Sequence, residues 1–162
     1  FLKDIGQKEM TDVAFLRIDD RLVHGQVIVG WLPVIKPDSL VVVNDSVAND
    51  DMRQDLMSLS VPADVDLEFY STDDVSEDDV SENTFILVSS PRDAWACLQK
   101  GIKPKQFNVG GMHAKEGKKE IFEALHVDDE DRKYFDLIIK SGVEPIFQPT
   151  PQNQPKPMGE IL

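Results

Sequence analysis

Short apolar runs alternate along this chain with polar segments whose apolar residues recur at helical spacing. Residues 13–18 form an apolar run that gives way at once to a polar loop. From Gln26 to Ile35, Val27, Ile28, Trp31 and Leu32 mark one helix face, and Pro33 and Pro37 are expected to end it. Residues 40–43 are valine-rich without alternation, the pattern of a strand buried on both faces of a parallel sheet, and they stop at Asn44-Asp45. Residues 46–60 predict a helix with Val47, Met52, Leu56 and Leu59 as its inward stripe, followed by Pro62 and a strand at 65–70.

The second half repeats the scheme. The acidic stretch 73–82 reads as surface, 84–88 as a strand, and Ser89-Ser90-Pro91-Arg92-Asp93 as a capped helix start. That helix closes at Lys100-Gly101, and a short strand follows at 107–109. Residues 118–127 fit either a helix or a strand by spacing. The acids at 128–131 open a helix with Tyr134, Phe135 and Ile138 on one stripe, ended by Lys140 and Gly142. A last strand is expected at 143–148, with Pro145 at a sheet edge. Residues 149–157, with four prolines, read as an extended tail.

This order predicts an α/β fold: an open, mainly parallel sheet with helices on both faces, in a single three-layer domain with right-handed crossovers. Polar or small residues follow the strands at Asp19-Asp20, Asn44-Asp45 and Gly110-Gly111. In such sheets the carboxyl ends share the edge where ligands bind, so these three places are expected to converge around His24.

Composition narrows the function classes. With 162 residues, 30 Asp and Glu against 17 Lys and Arg, and a net charge of −13, the chain repels nucleic-acid phosphates. No apolar run approaches the roughly 20 residues of a membrane span. The lone Cys97 lies in an apolar helical pattern, reads as core, and permits no disulfide within the chain, which favours a reducing, cytoplasmic setting. Residues 1–11, which begin at Phe1, read as a lead or remnant, leaving 12–162 as the domain.

The densest chemistry lies in Arg17-Ile18-Asp19-Asp20-Arg21-Leu22-Val23-His24-Gly25-Gln26. One imidazole, two carboxylates and two guanidinium groups can hold, charge and discharge a histidine. His24 sits where loop meets helix, so a phosphoryl group on it would lie near the N–H groups of Gly25, Gln26 and Val27. Asp19 or Asp20 can orient the imidazole. Consecutive strand-end residues point opposite ways, so one is expected to do so while the other caps a loop or helix. Arg17 and Arg21 are candidates for neutralising phosphoryl oxygens, the alternative for Arg17 being an ion pair with Asp19 or Asp45. Gly110-Gly111 fits close backbone approach, positive φ or a plain turn. His113 is placed at the site edge with Asn44, Asp45 and Met112, His126 on the surface and Trp31 in the core. No His or Cys spacing suggests a metal, and no Walker or dinucleotide motif a nucleotide.

These residues, with Leu40-Val41-Val42-Val43-Asn44-Asp45-Ser46-Val47-Ala48-Asn49-Asp50 and Phe107-Asn108-Val109-Gly110-Gly111-Met112, resemble in order and spacing the IIB components of the mannose/fructose/sorbose family of the sugar phosphotransferase system. The resemblance runs from about residue 13 to the C-terminus. It implies an open α/β sheet, a strand rather than a helix over 118–127, and a phosphohistidine carrier. A IIA protein would phosphorylate His24, at Nδ1, and His24 would pass the group to a sugar held by membrane IIC and IID components. It implies no cofactor and a cytoplasmic protein peripherally associated with the transporter, with a homo-oligomer left open. The alternative is a regulatory module that reports phosphorylation without transferring it to sugar. A nucleotide-binding α/β domain is weaker, because the first loop lacks a glycine array.

Overall fold

The computed structural model describes residues 10–162, so most of the expected lead, residues 1–9, lies outside the described residues. Strand β1 (Thr11–Asp19) takes in Thr11, and β2 (Ser39–Val43), β3 (Asp66–Tyr70), β4 (Thr84–Val88), β5 (Ile102–Gly111), β8 (Pro145–Phe147) and β9 (Lys156–Pro157) join it in one sheet. Their order is β3-β2-β4-β1-β5-β8-β9, parallel throughout except for the β8–β9 pair. Helices α4 (Pro91–Gln99) and α5 (Asp129–Lys140) cover one face. A π-helical segment, Gln26–Trp31, continues into α1 (Leu32–Ile35) and covers the other, with α2 (Asp45–Ala48).

Burial explains the unalternating valine run. Leu40 and Val42 enter the core cluster that holds Phe15, Val27 and Trp31, while Val41 and Val43 enter the opposite cluster with Cys97, Phe135 and Ile138. Every residue from Leu40 to Val43 is therefore removed from water. Cys97 is wholly enclosed, and burial pushes its thiol up to about 12. No helix among the described residues is long and apolar enough to cross a membrane.

Several expectations change. Pro33 does not end the first helix but stands at the junction where the π-helical segment passes into α1; Lys36, left-handed at φ 53°, ends it before Pro37. The helix expected over 46–60 breaks at Asn49-Asp50. There Asp50 accepts from Arg53 N–H and caps a new helix, α3 (Asp51–Ser58). The break leaves only Val47 of the expected stripe inside, with Met52, Leu56 and Leu59 exposed by 74%, 62% and 82%. In the acidic stretch Val75 is buried, and Lys100 Nζ donates to the carbonyls of Asp73 and Val75 at 2.6 and 3.1 Å. Residues 118–127 form not one element but an antiparallel hairpin, β6 (Lys119–Phe122) and β7 (Leu125–Val127). β8 is not the sheet edge, since β9 pairs beyond it with Ile146 and Phe147. The tail folds back through turns and β9 into α6 (Met158–Ile161).

Candidate functional site

β1 occupies the middle of the sheet, between β4 and β5. Strand alternation sends Phe15, Arg17 and Asp19 toward one face, and the Phe15 ring packs on Trp31 of the π-helical segment with centroids 4.9 Å apart. At the strand's end the register with β5 slips, Asp19 pairs with Gly111, and Asp20 N–H donates to Gly111 C=O at 3.0 Å. The chain then turns through Leu22, left-handed at φ 59° with its side chain buried. A β-carbon makes that conformation costly, and the burial of Leu22 among Val27 and Trp31 holds it.

Arg17 lies wholly inside the protein. Its Nη1 donates to Asn108 Oδ1 at 2.8 Å and to Pro149 C=O at 2.9 Å, and its Nη2 to Asp19 Oδ2 at 2.9 Å and Gln26 Oε1 at 3.0 Å. Trp31 faces the guanidinium at 5.9 Å and donates Nε1–H to the same Pro149 carbonyl. Burial draws the guanidinium's pKa below its ordinary value, and Asp19 opposes that. A group so enclosed orients its neighbours; it does not reach a phosphoryl oxygen. Of the two structural alternatives, the ion pair is with Asp19, because Asp45 Oδ1 accepts instead from Thr72 N–H and its hydroxyl.

Asp19 is the hub. Its side chain, fully buried, accepts from Arg17, from Arg21 N–H at 3.0 Å, from Arg21 Nε at 3.4 Å and from His24 Nε2 at 2.7 Å. Burial alone would raise its pKa. The hydrogen bond from His24 and the charge of Arg17 outweigh it, and the carboxyl is held far below the usual carboxylate range. With Nε2 committed to Asp19, His24 turns Nδ1 the other way, where Gln26 N–H approaches it at 3.3 Å. Of the N–H groups expected to be free for a phosphoryl group, that of Val27 is already used: it donates to the His24 carbonyl at 3.1 Å, as does Ile28 N–H at 3.0 Å. A β-carbon built on Gly25 meets nothing within 4 Å, so space beside the imidazole is open. Arg21, 41% exposed in its side chain, also reaches Gln26 Oε1 at 3.1 Å through Nη2.

Asp20 points away, as strand alternation requires. Its oxygens accept from His113 N–H and pair with His113 Nδ1, each at 2.7 Å. The glycine pair serves close approach. A β-carbon at Gly110 would fall 1.9 Å from Cζ of Arg17, and one at Gly111 would fall 2.9 Å from the His113 ring and 3.4 Å from Asp19. Neither glycine has a positive φ. Asn44 and Asp45 reach the same sheet edge but serve α2: Asn44 Oδ1 accepts from Val47 N–H and Nδ2 donates to Ser89. Met112 is buried and tethers the β6–β7 hairpin, its carbonyl accepting from His126 N–H at 2.7 Å. His126 is correspondingly not a free surface residue; its Nδ1 lies 3.1 Å from the same carbonyl.

Three contributors escaped the sequence reading as site residues. Asn108 falls within a quoted motif, yet nothing marked its side chain as a buried partner of Arg17. Pro149 contributes only a carbonyl, which carries no residue signature. Trp31 is core, as expected, but also holds that carbonyl. Beside Gln26 and His113 opens a cleft of about 660 Å³, with Phe122 and Phe147 stacked at 5.8 Å in its wall.

Comparison with known proteins converges on one group. The model of the sorbose-subfamily IIB component of the phosphotransferase system matches residues 13–162. The N-acetylgalactosamine-specific phosphotransferase enzyme IIB component 1 of Escherichia coli (strain K12) is 35% identical over 148 residues, 88% of this chain and 94% of that protein. The crystal structure of that E. coli component aligns with a TM-score of 0.82 at 35% identity, over 89% of this chain and 97% of the other. The IIB domain of the sorbose permease from Klebsiella pneumoniae aligns with the same TM-score at 26% identity, over 93% and 95%.

Proposed function

The chain belongs to the sorbose-type IIB components of the phosphotransferase system, phosphotransferases that take a phosphoryl group from a IIA protein and pass it on to sugar, and from that premise we propose that His24 is the carrier and Nδ1 its reacting atom. The observation that carries this reading is the 2.7 Å contact between His24 Nε2 and a buried Asp19. A carboxylate fixed there keeps the proton on Nε2 and leaves the Nδ1 lone pair for attack.

The step balances simply. His24 Nδ1 attacks phosphorus, the phosphorus–nitrogen bond to the donor histidine breaks, and the donor leaves with its lone pair. The phosphorylated ring becomes an imidazolium whose Nε2–H stays on Asp19. The Gln26 N–H, displaced from Nδ1, is then adjacent to the new phosphoryl group. Arg21 supplies the solvent-facing cation for its oxygens, while Arg17 holds Asp19 and Gln26 from behind. In the second half-reaction a sugar hydroxyl attacks phosphorus and gives up its proton to solvent, the phosphorus–nitrogen bond breaks, and the lone pair returns to Nδ1.

The donor is a IIA protein, and the acceptor a sugar presented by IIC and IID components, with the chain docked peripherally at the cytoplasmic side of that assembly. Docking involves the accessible residues around the imidazole, Asp20, Arg21 and residues 23–26, together with His113. Incubation with phosphoenolpyruvate, enzyme I, HPr and the cognate IIA should place one acid-labile, alkali-stable phosphoryl group on the chain. His24→Ala should accept none and unfold at the wild-type temperature within a few degrees, while His113→Ala should still accept. Label retained by His24→Ala would refute the assignment.

A further inference from the structure

A separate cleft of about 250 Å³ lies at the same sheet edge, touching Asp20 and Leu22 of the loop without His24 in its lining. In a chain of net charge −13, three cations gather there: Arg53, Lys115 and Lys118. The sole carboxylate among the lining residues is Asp20, and both its oxygens are engaged by His113. Lys118 pairs with Asp131 at 2.7 Å, outside the lining, and Arg53 Nη1 donates to Ser46 Oγ at 3.1 Å. Among the described residues Lys115 has no partner.

The hydroxyls around these cations are also left with protons to give. Ser46 Oγ accepts from Arg53, and Ser90 Oγ accepts from Asp93 N–H at 3.1 Å, yet among the described residues neither hydroxyl has an acceptor. Ser89 differs, since it donates to Asp93 Oδ2 at 3.2 Å. The cleft thus offers two hydroxyl protons, an unpaired ammonium and most of a guanidinium, against one carboxylate whose two oxygens each already hold a contact with His113. Such a surplus of donors matches a small, multiply charged, acceptor-only group. The volume is several times the roughly 30 Å³ that one water occupies, enough for a tetrahedral oxyanion and what it is attached to.

We propose that this cleft is a second oxyanion site, taking a phosphate monoester or inorganic phosphate held by Arg53, Lys115, Ser46 and Ser90. The choice of phosphate rests on the phosphoryl-transfer reading of His24, whereas the anion site itself does not. A ligand there would sit against Asp20 and Leu22, in the loop that presents His24, and so could report phosphorylated product to that loop.

The test is an amide NMR titration at constant ionic strength, with inorganic phosphate in one arm and a hexose 6-phosphate in the other, on wild type, His24→Ala and Arg53→Gln/Lys115→Gln. Both replaced cations are exposed, so the double variant should keep the wild-type fold. Saturable shifts are expected at Ser46, Arg53, Ser89, Ser90 and Lys115, persisting in His24→Ala and at least tenfold weaker in the double variant. Equal affinities in the two arms would define a site for phosphate alone, and a tighter hexose phosphate a site for the ester. Shifts confined to residues 21–27, or affinity unchanged in the double variant, would overturn the proposal and leave the carrier role of His24 to its own labelling test.

Discussion

Two histidine–aspartate pairs stand at one sheet edge with the same 2.7 Å contact, His24 with Asp19 and His113 with Asp20, yet the proposed carrier role falls to the first alone. The difference lies behind the carboxylate. Asp19 is wholly buried on an Arg17 whose two terminal nitrogens are themselves bonded to Asn108, Gln26 and Pro149. Asp20 is partly exposed, and its partners are the backbone and ring of a histidine whose side chain is 41% exposed. The pairs also use opposite nitrogens: His24 gives Nε2 and keeps Nδ1 outward, while His113 gives Nδ1. A short contact is thus a weak marker of chemistry until its backing is known.

Breaking the two pairs should separate them sharply. Asp19→Ala leaves Arg17 as an uncompensated buried cation and should cost about 3–5 kcal/mol of stability along with phosphoryl acceptance. Asp20→Ala, which removes the partners of a partly exposed pair, should cost about 1–2 kcal/mol. Chemical denaturation of both variants measures the contrast, and equal losses would erase it. Next in size is Gly110→Ala, whose methyl must displace the sealed Arg17 guanidinium and should cost about 1–3 kcal/mol. Gly25→Ala, facing open space in helical backbone, should stay within about 0.5 kcal/mol.

Acid sharpens the same contrast. Because the folded state holds the Asp19 carboxyl below its unfolded value, near 4, its stabilisation is complete above that pH and is lost as pH falls through the folded value. Unfolding free energy should therefore drop with falling pH below about 4, and Asp19→Asn should flatten that slope. The smallest effect on stability is that of Arg21→Ala: the side chain is exposed enough that thermal unfolding should move little, while transfer from phosphorylated IIA, followed by rapid quench, slows roughly 10²-fold.

The layered architecture and the three strand ends were legible because they rest on local patterns, continuous apolar runs and punctuation by Asn, Asp and Gly. The opposite facing of Asp19 and Asp20 follows from strand alternation, although sequence could not say which faced His24, and Asp20 pairs with His113 rather than capping a helix. The role of Arg17 was only half legible. A guanidinium in a loop-side motif suggests phosphate, but its position inside a central strand removes it from solvent, and that depends on Asn108 and Pro149, 91 and 132 residues away. The outward stripe of α3 was illegible for a different reason. Helical spacing fixes which residues share a face but not which way the face points, and the break at Asn49-Asp50 turned it out.

The central claim, that Asp19 fixes the imidazole so that Nδ1 of His24 carries the phosphoryl group, meets its most direct test in long-range ¹H–¹⁵N NMR of ¹⁵N-histidine protein after phosphorylation by IIA. A phosphorus-coupled Nδ1 is expected on His24 with its Nε2 still protonated, together with unmodified rings at His113 and His126. Phosphorus coupled to His24 Nε2, or to either other histidine, would contradict it.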